Sequence, residues 1–294
     1  MVHFSLMTSA MHTTDDGTIE LTITIPWLDI QKTYEAVVTE TASNVEVAGF
    51  RKGKAPKAMV EENVDKTKVY EETIKRLVPK SYTDAVSEHK ISPIMMPQIE
   101  LKDAQEGKDW VILAKTCERP SITLEDYKKA IQDLKASKTQ KIFVPGKDLP
   151  AQAGIPNDEK PKGPTVDEVL DALLGSVEAK LPEILLEHEV THQLSQLVDQ
   201  TKKLGLTVEQ YLSSTGKTAD SIRTEYRTQA TKNLSLEFAL EAIAEKESVA
   251  VGQDEVAKLI ASAKTDEERK NLENQRYYLT SLLRRQKTVD LLMS

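Results

Sequence analysis

From Thr165 to the carboxyl end the chain reads as nearly all helix, and this limits the architecture more than any other feature of the sequence. Apolar residues recur three or four positions apart, the spacing that places them on one side of a 3.6-residue turn. Pro182 suits a helix start, and Leu186, Val190, Leu194, Leu197, Val198, Thr201 and Leu204 then make a long stripe ended by Gly205. Thr207-Val208-Glu209-Gln210 is a capping box for a short helix through Tyr211 and Leu212. The next helix, Thr218 to Glu247, is long and carries Ile222, Tyr226, Ala230, Leu234, Phe238, Leu240 and Ile243. A break at 249–252 precedes a helix from Gln253. Thr265-Asp266-Glu267-Glu268 is a second capping box, opening one last helix through Leu272, Leu279, Leu282, Val289 and Leu292. Several of these stripes wander around the helix, so the apolar surface either packs against several neighbours or is left open.

The amino-terminal part has a different rhythm. Thr18–Ile25 alternates strictly, with Ile19, Leu21, Ile23 and Ile25 on one side and Thr18, Glu20, Thr22 and Thr24 on the other, which predicts a half-buried strand. Pro26 ends it, and Asp29 is expected to cap a helix carrying Ile30, Tyr34, Val37, Val38 and Thr41. A second helix is predicted over Lys66–His89, bent by Pro79, which removes a backbone hydrogen bond. Residues 91–101 read as extended chain and Trp110–Cys117 as another strand. The order βααββ predicts a small α+β domain whose helices cover one sheet face.

Between these parts, residues 135–164 hold Pro145, Pro150, Pro156, Pro161 and Pro164 with Gly146, Gly154 and Gly163, a linker composition with room for a short extended piece at 141–144. Apolar content of 39% with 5% aromatic residues permits lean cores of Leu, Ile, Val and Ala. A formal charge of −8 argues against a general nucleic-acid binder. Cys117 stands alone in a strand-like run and reads as a small core residue in a reducing compartment. The first residues lack the basic-then-apolar order of a signal peptide, and no apolar run approaches membrane-spanning length. A soluble cytoplasmic protein is expected.

Against this acidic background one short loop is basic. Ala48 to Pro56 sets Phe50 between Gly49 and Gly53, two residues free to take positive φ, and Arg51, Lys52, Lys54 and Lys57 crowd four positive charges together. Two readings follow from the residues alone. Either Phe50 turns inward as a core plug above a solvated turn, or an aromatic beside an arginine forms a binding tip for a phosphate-rich partner.

The loop resembles the signature of the trigger factor family of ribosome-associated bacterial chaperones, G-F-R-x-G-K-x-P. It is matched by Gly49, Phe50, Arg51, Gly53, Lys54 and Pro56, with Lys52 at the variable place. The resemblance implies that Gly49, Phe50, Arg51, Lys52, Gly53 and Lys54 dock on the large ribosomal subunit beside the exit of the peptide tunnel. It also implies a division into a ribosome-binding domain at 1–118, a linker at 119–164, and a helical carboxyl-terminal chaperone domain at 165–294. The implied fold class is a small α+β domain followed by an elongated all-α cradle. Leu124-Glu125-Asp126-Tyr127-Lys128 is similar to the segment that leaves the first domain in the family, and residues 181–190 resemble the segment that opens the cradle arms.

The family usually inserts an FKBP-type prolyl isomerase domain, which needs roughly a hundred strand-rich residues. The linker is far shorter and has one aromatic, Phe143, so the isomerase is expected to be missing. The implied function is an ATP-independent chaperone for nascent and unfolded polypeptides. It would be no enzyme, need no cofactor or metal, and engage neither membranes nor specific nucleic-acid sequences.

Two other readings stand beside it. His188-Glu189-Val190-Thr191-His192 is an H-E-x-x-H run, in which two histidines share a helix face and Glu189 is placed to act as general base of a zinc peptidase. The extended form of that motif fails, with Ser195 and Val198 where glycine and a third histidine belong. The other alternative is a holdase or assembly chaperone that works off the ribosome. Ser214-Thr215-Gly216-Lys217-Thr218 is no phosphate loop, because Tyr211 stands where the first glycine is required and the segment joins two helices.

Overall fold

A computed structural model describes residues 7–44, 65–139 and 163–294 of the protein. The basic loop with Gly49, Phe50, Arg51, Lys52, Gly53 and Lys54 lies outside the described residues, as do 140–162 of the proline-rich stretch. The chain divides into two compact units, one of Met1–Arg119 with Pro182–Glu187, the other of Pro120–Leu181 with His188–Ser294. It is an α+β protein with a small sheet unit and a mainly helical one.

The first unit comprises β1 (Thr8–Thr13), β2 (Thr18–Ile25), α1 (Trp27–Asn44), α2 (Lys66–His89), β3 (Gln98–Asp103) and β4 (Trp110–Cys117). The strands form an antiparallel sheet in the order β1-β2-β4-β3. Period-two alternation does the sorting. Leu21, Ile23 and Ile25 pair with Ala114, Ile112 and Trp110, and all six are buried with Ile30 of α1 and Leu77, Val78 and Ala85 of α2. Tyr34, Tyr70 and Trp110 stack in series, with ring centroids 4.9 and 6.0 Å apart. On the opposite face Glu20 and Lys115 pair across β2 and β4 at 2.7 Å. Cys117 is buried, and desolvation pushes its thiol up to about 11, so it stays a protonated core group at neutral pH.

Two features depart from the sequence reading. β1 forms although Thr8–Thr13 has no apolar alternation; a tight turn from Thr14 to Thr18 carries the chain back along β2, with Gly17 at φ +90°. Asp29 is not the cap of α1 but sits inside its first turn, while the Trp27 amide donates to Asp109 at 2.8 Å. The helix expected over Lys66–His89 is present with Pro79 inside it, as α2, which Asp65 caps by accepting from the Thr67 amide at 3.0 Å.

The second unit contains β5 (Ile122–Leu124), α3 (Tyr127–Thr139), α4 (Val166–Leu174) and β6 (Val177–Ala179). α5 (Glu183–Lys203) begins in the first unit and continues here, followed by α6 (Val208–Thr215), α7 (Ala219–Lys246), α8 (Gln253–Ala261), α9 (Asp266–Asn274) and α10 (Arg276–Met293). Residues 120–139, within the 119–164 linker that the resemblance implies, are structural: β5 pairs antiparallel with β6, and Tyr127 and Ile131 are buried among Val169, Leu173, Ala239, Leu240, Ile243 and Leu292. From Tyr127 the apolar positions keep a helical period up to Leu134, and after Pro120 the next proline is Pro145. The capping box expected at Thr207 is formed, and a further one, not read from the sequence, stands at Thr165. Thr265 also caps its helix, but the single last helix of the sequence reading is two, parted at Gln275, whose φ of −100° and ψ of 18° leave the helical region. Among the described residues no helix is long and apolar enough to cross a membrane.

Candidate functional site

The second unit carries a broad concavity of about 770 Å³, built from one side of three helices. α5 contributes Glu189, His192, Gln193, Gln196, Leu197 and Gln200, spaced three and four apart. From α7 come Tyr226, Gln229, Asn233 and Glu237, at the same period, and from α10 Tyr278 and Arg285, two turns apart. The buried stripe of α5, with Val190, Leu197 and Thr201, and that of α7, with Ile222, Ala230 and Leu234, leave the amide-bearing positions turned toward water.

These amides pair along their own helices. Gln193 donates to Glu189 at 2.9 Å, Gln196 meets His192 at 2.8 Å, and Gln229 donates to Asn233 at 2.7 Å. Such local pairs exchange readily with an incoming peptide group, because each amide carries both a donor and an acceptor. Arg285 is paired with Glu237, and its Nε–H is buried with no acceptor among the described residues. In the lining Tyr278 is 59% exposed; elsewhere on α10 Tyr277 is 90% and Leu282 45% exposed, and Leu204 past the end of α5 is 73% exposed. The surface thus offers many weak hydrogen-bonding groups with scattered apolar contacts, and little that would fix one ligand geometry. Burial, with Tyr211 and Glu225 nearby, pushes the Tyr226 phenol up, so it remains a neutral donor.

α10 is held in place from behind. Arg284 Nε donates to the Val249 carbonyl at 3.0 Å, and Lys287 Nζ donates to the Ala250 carbonyl at 3.1 Å and to Glu255 at 2.7 Å. The Val256, Ile260 and Leu279 cluster packs beside these bonds.

The H-E-x-x-H run falls on α5. His188 and His192 are exposed, His192 is bonded to Gln196, and Glu189 accepts from Gln193. No group of three or more His, Cys, Asp or Glu side chains among the described residues is arranged to hold a metal ion. The run therefore lacks the third protein ligand a catalytic zinc requires within what is described. Nothing in the comparisons below favours a peptidase.

The six residues expected to dock on a ribosome belong to the chain between α1 and α2, outside the described residues. The concavity was not legible in the apolar pattern, because its signal is polar. Gln193, Gln196 and Gln200, and Gln229 with Asn233, repeat at helical spacing on the sides of α5 and α7 that the apolar stripes leave free.

The family model for bacterial trigger factor protein matches residues 7–142, and that for the trigger factor carboxyl terminus matches 157–294. A trigger factor of Streptomyces coelicolor is 23% identical over 374 aligned residues, covering 85% of this chain and 80% of the relative. That alignment is longer than the 294-residue chain, so part of the relative has no counterpart here. A trigger factor of Carboxydothermus hydrogenoformans is likewise 23% identical, over 84% of this chain and 88% of its own. One from Lacticaseibacillus casei is 35% identical over 47% of this chain and 30% of its own. Among solved structures, a chain from a study of promiscuous substrate recognition in folding and assembly activities of the trigger factor chaperone superposes with a TM-score of 0.63. At 15% identity it covers 98% of this chain and 99% of its own, which establishes the shared fold. With both family models accounting for nearly the whole sequence, the chain belongs to the bacterial trigger factor family of chaperones.

Proposed function

We propose that the protein is an ATP-independent holding chaperone that docks beside the peptide exit of the large ribosomal subunit and retains nascent or unfolded polypeptides in the cytoplasm. Docking is assigned to Gly49, Phe50, Arg51, Lys52, Gly53 and Lys54, on the strength of the signature they match in a family to which the chain belongs. Holding is assigned to the concave side of the helical unit. The observation that carries this second assignment is the amide and tyrosine lining of α5, α7 and α10, which suits an unfolded backbone of any sequence. Many shallow contacts, each about 1 kcal/mol or less, let a client leave without nucleotide hydrolysis.

No prolyl isomerase activity is assigned. The chain between the two family matches, residues 143–156, is much too short for a domain of roughly a hundred residues. The test is suppression of aggregation of a chemically unfolded client by the purified protein without ATP, with a prolyl isomerase assay on the same preparation. Suppression with no isomerase turnover supports the reading; failure to suppress at client-saturating concentrations would overturn it.

A further inference from the structure

The two edges of the sheet in the first unit are built differently. β3, at one edge, carries Glu100, Lys102 and Asp103, and its register against β4 slips between Leu101 and Asp103. Charges and irregular register are the devices that keep an edge from accepting another strand. β1, at the other edge, reads Thr-Ser-Ala-Met-His-Thr, without Asp, Glu, Lys, Arg or Pro, and pairs with β2 in unbroken register from Thr8↔Thr24 to Thr13↔Ile19. Among the described residues β2 is its one sheet neighbour.

The hairpin turn fixes which backbone groups face outward. Gly17 N–H donates to the Thr14 carbonyl at 3.0 Å, and Thr14 N–H donates to the Thr18 carbonyl at 2.9 Å, closing the ladder at that pair. Hydrogen-bonded pairs alternate along an antiparallel ladder, so Thr8, Ala10 and His12 exchange bonds with β2. Ser9, Met11 and Thr13 therefore direct their amides and carbonyls away from it. Met11 is 44% exposed, and Ala10, His12 and Thr13 are exposed with it. The strand is held ready by Ser9, whose hydroxyl donates to Glu88 at 2.6 Å and lies 2.9 Å from His89 Nε2 at the end of α2.

We infer that the outer edge of β1 docks an extended, uncharged stretch of an unfolded polypeptide, which adds to the sheet as a further strand. The inference rests on the reading that the protein holds unfolded chains, and names a second place where it does so. An extended backbone matches the alternating donors and acceptors of Ser9, Met11 and Thr13, and Met11 gives apolar contact to one side chain of the added strand. The lack of charge along β1 favours a segment equally without it. A second copy of this chain is the poorer occupant, since each copy carries a net charge of −8 and the two repel.

The test uses the full chain and a labelled peptide of alternating threonine and valine, with a version N-methylated on one edge. Met11→Pro removes one outward N–H without touching the bonds to β2. The wild type should bind the plain peptide about tenfold or more tightly than the methylated one, and Met11→Pro should lose affinity by a similar factor, the cost of one or two hydrogen bonds. Should Met11→Pro fail to fold, Met11→Lys keeps the backbone and places a charge on the edge, with the same expected loss. Equal binding of both peptides, or indifference to either substitution in a wild type that suppresses client aggregation, overturns the docking edge alone. A dimer that the Met11 substitution dissociates would also overturn it, by giving the edge to a second copy. A wild type that suppresses no aggregation fails the holding reading instead.

Discussion

The Asp16 carboxylate accepts a hydrogen bond from the Glu183 backbone amide at 2.7 Å, although 167 positions separate them in the sequence. Neither Leu181 nor Pro182 has a side-chain oxygen to cap α5, so the cap comes from the turn between β1 and β2. Gly17, at φ +90°, carries the turn past Pro182, whose Cγ would stand 3.6 Å from a Cβ at that position. Burial alone would raise the Asp16 carboxyl. The Thr14 hydroxyl, the Glu183 amide, and the Thr18 hydroxyl and amide outweigh it and hold the group well below the usual carboxylate range.

Asp16→Asn should therefore lower stability at pH 7 by about 1 kcal/mol, the scale of a lost helix cap. The folded-state pKa is depressed, so the wild-type contribution is complete above the unfolded value of 3.8 and shrinks as pH falls through it. Thermal melts across about pH 7 to pH 2 should show a steeper acid loss in the wild type than in the variant.

Tyr127 gives the opposite sign at the alkaline end. Its hydroxyl donates to Glu247 at 2.7 Å, and burial first, then Glu247, pushes the phenol up to about 12 from 10.0. The unfolded chain releases this proton first, so the group's stabilisation is present below pH 10 and is lost as pH rises toward 12. Tyr127→Phe should cost about 1 kcal/mol at neutral pH and remove part of the alkaline loss, as followed by melts between about pH 8 and 11.

The strands and helices that face one way were the legible part of this fold. β2 was readable because Ile19, Leu21, Ile23 and Ile25 alternate with polar residues, and β4 because Trp110–Cys117 is a short apolar run rich in β-formers whose Trp110, Ile112 and Ala114 meet the same core. The capped helices were readable at Thr207 and Thr265, where threonine oxygens meet orphan amides. What escaped has long-range causes. β1 is an edge strand fixed by its turn and by Ser9 rather than by its own pattern, and the Asp16 cap is invisible to any local window. Residues 120–139 look like a domain exit until Tyr127 and Ile131 meet α4, α7 and α10. The concavity escaped because it is written in amides.

Replacing Gln196, Gln229 and Tyr278 together by alanine should weaken client holding about three- to tenfold. All three side chains are exposed, so the melting temperature should change little. Client affinity by fluorescence anisotropy, beside a melt of the same variant, checks both halves.

Elemental analysis of tag-free protein purified without chelator should find zinc well below one atom per chain, and His188→Ala, which lies outside the concave lining, should leave client holding unchanged. His188 and His192 are exposed on α5, and no third ligand stands with them among the described residues.

Co-sedimentation with ribosomes tests the account most directly, using wild type and the joint substitution Phe50→Ala, Arg51→Ala, Lys52→Ala on empty and translating particles. The wild type should travel with both and more strongly with translating ones, in a manner weakened by salt, and the variant should lose about tenfold or more in affinity while still suppressing client aggregation in free solution. Undiminished sedimentation of the variant would contradict the assigned mooring, and a wild type that never sediments would contradict ribosomal docking altogether.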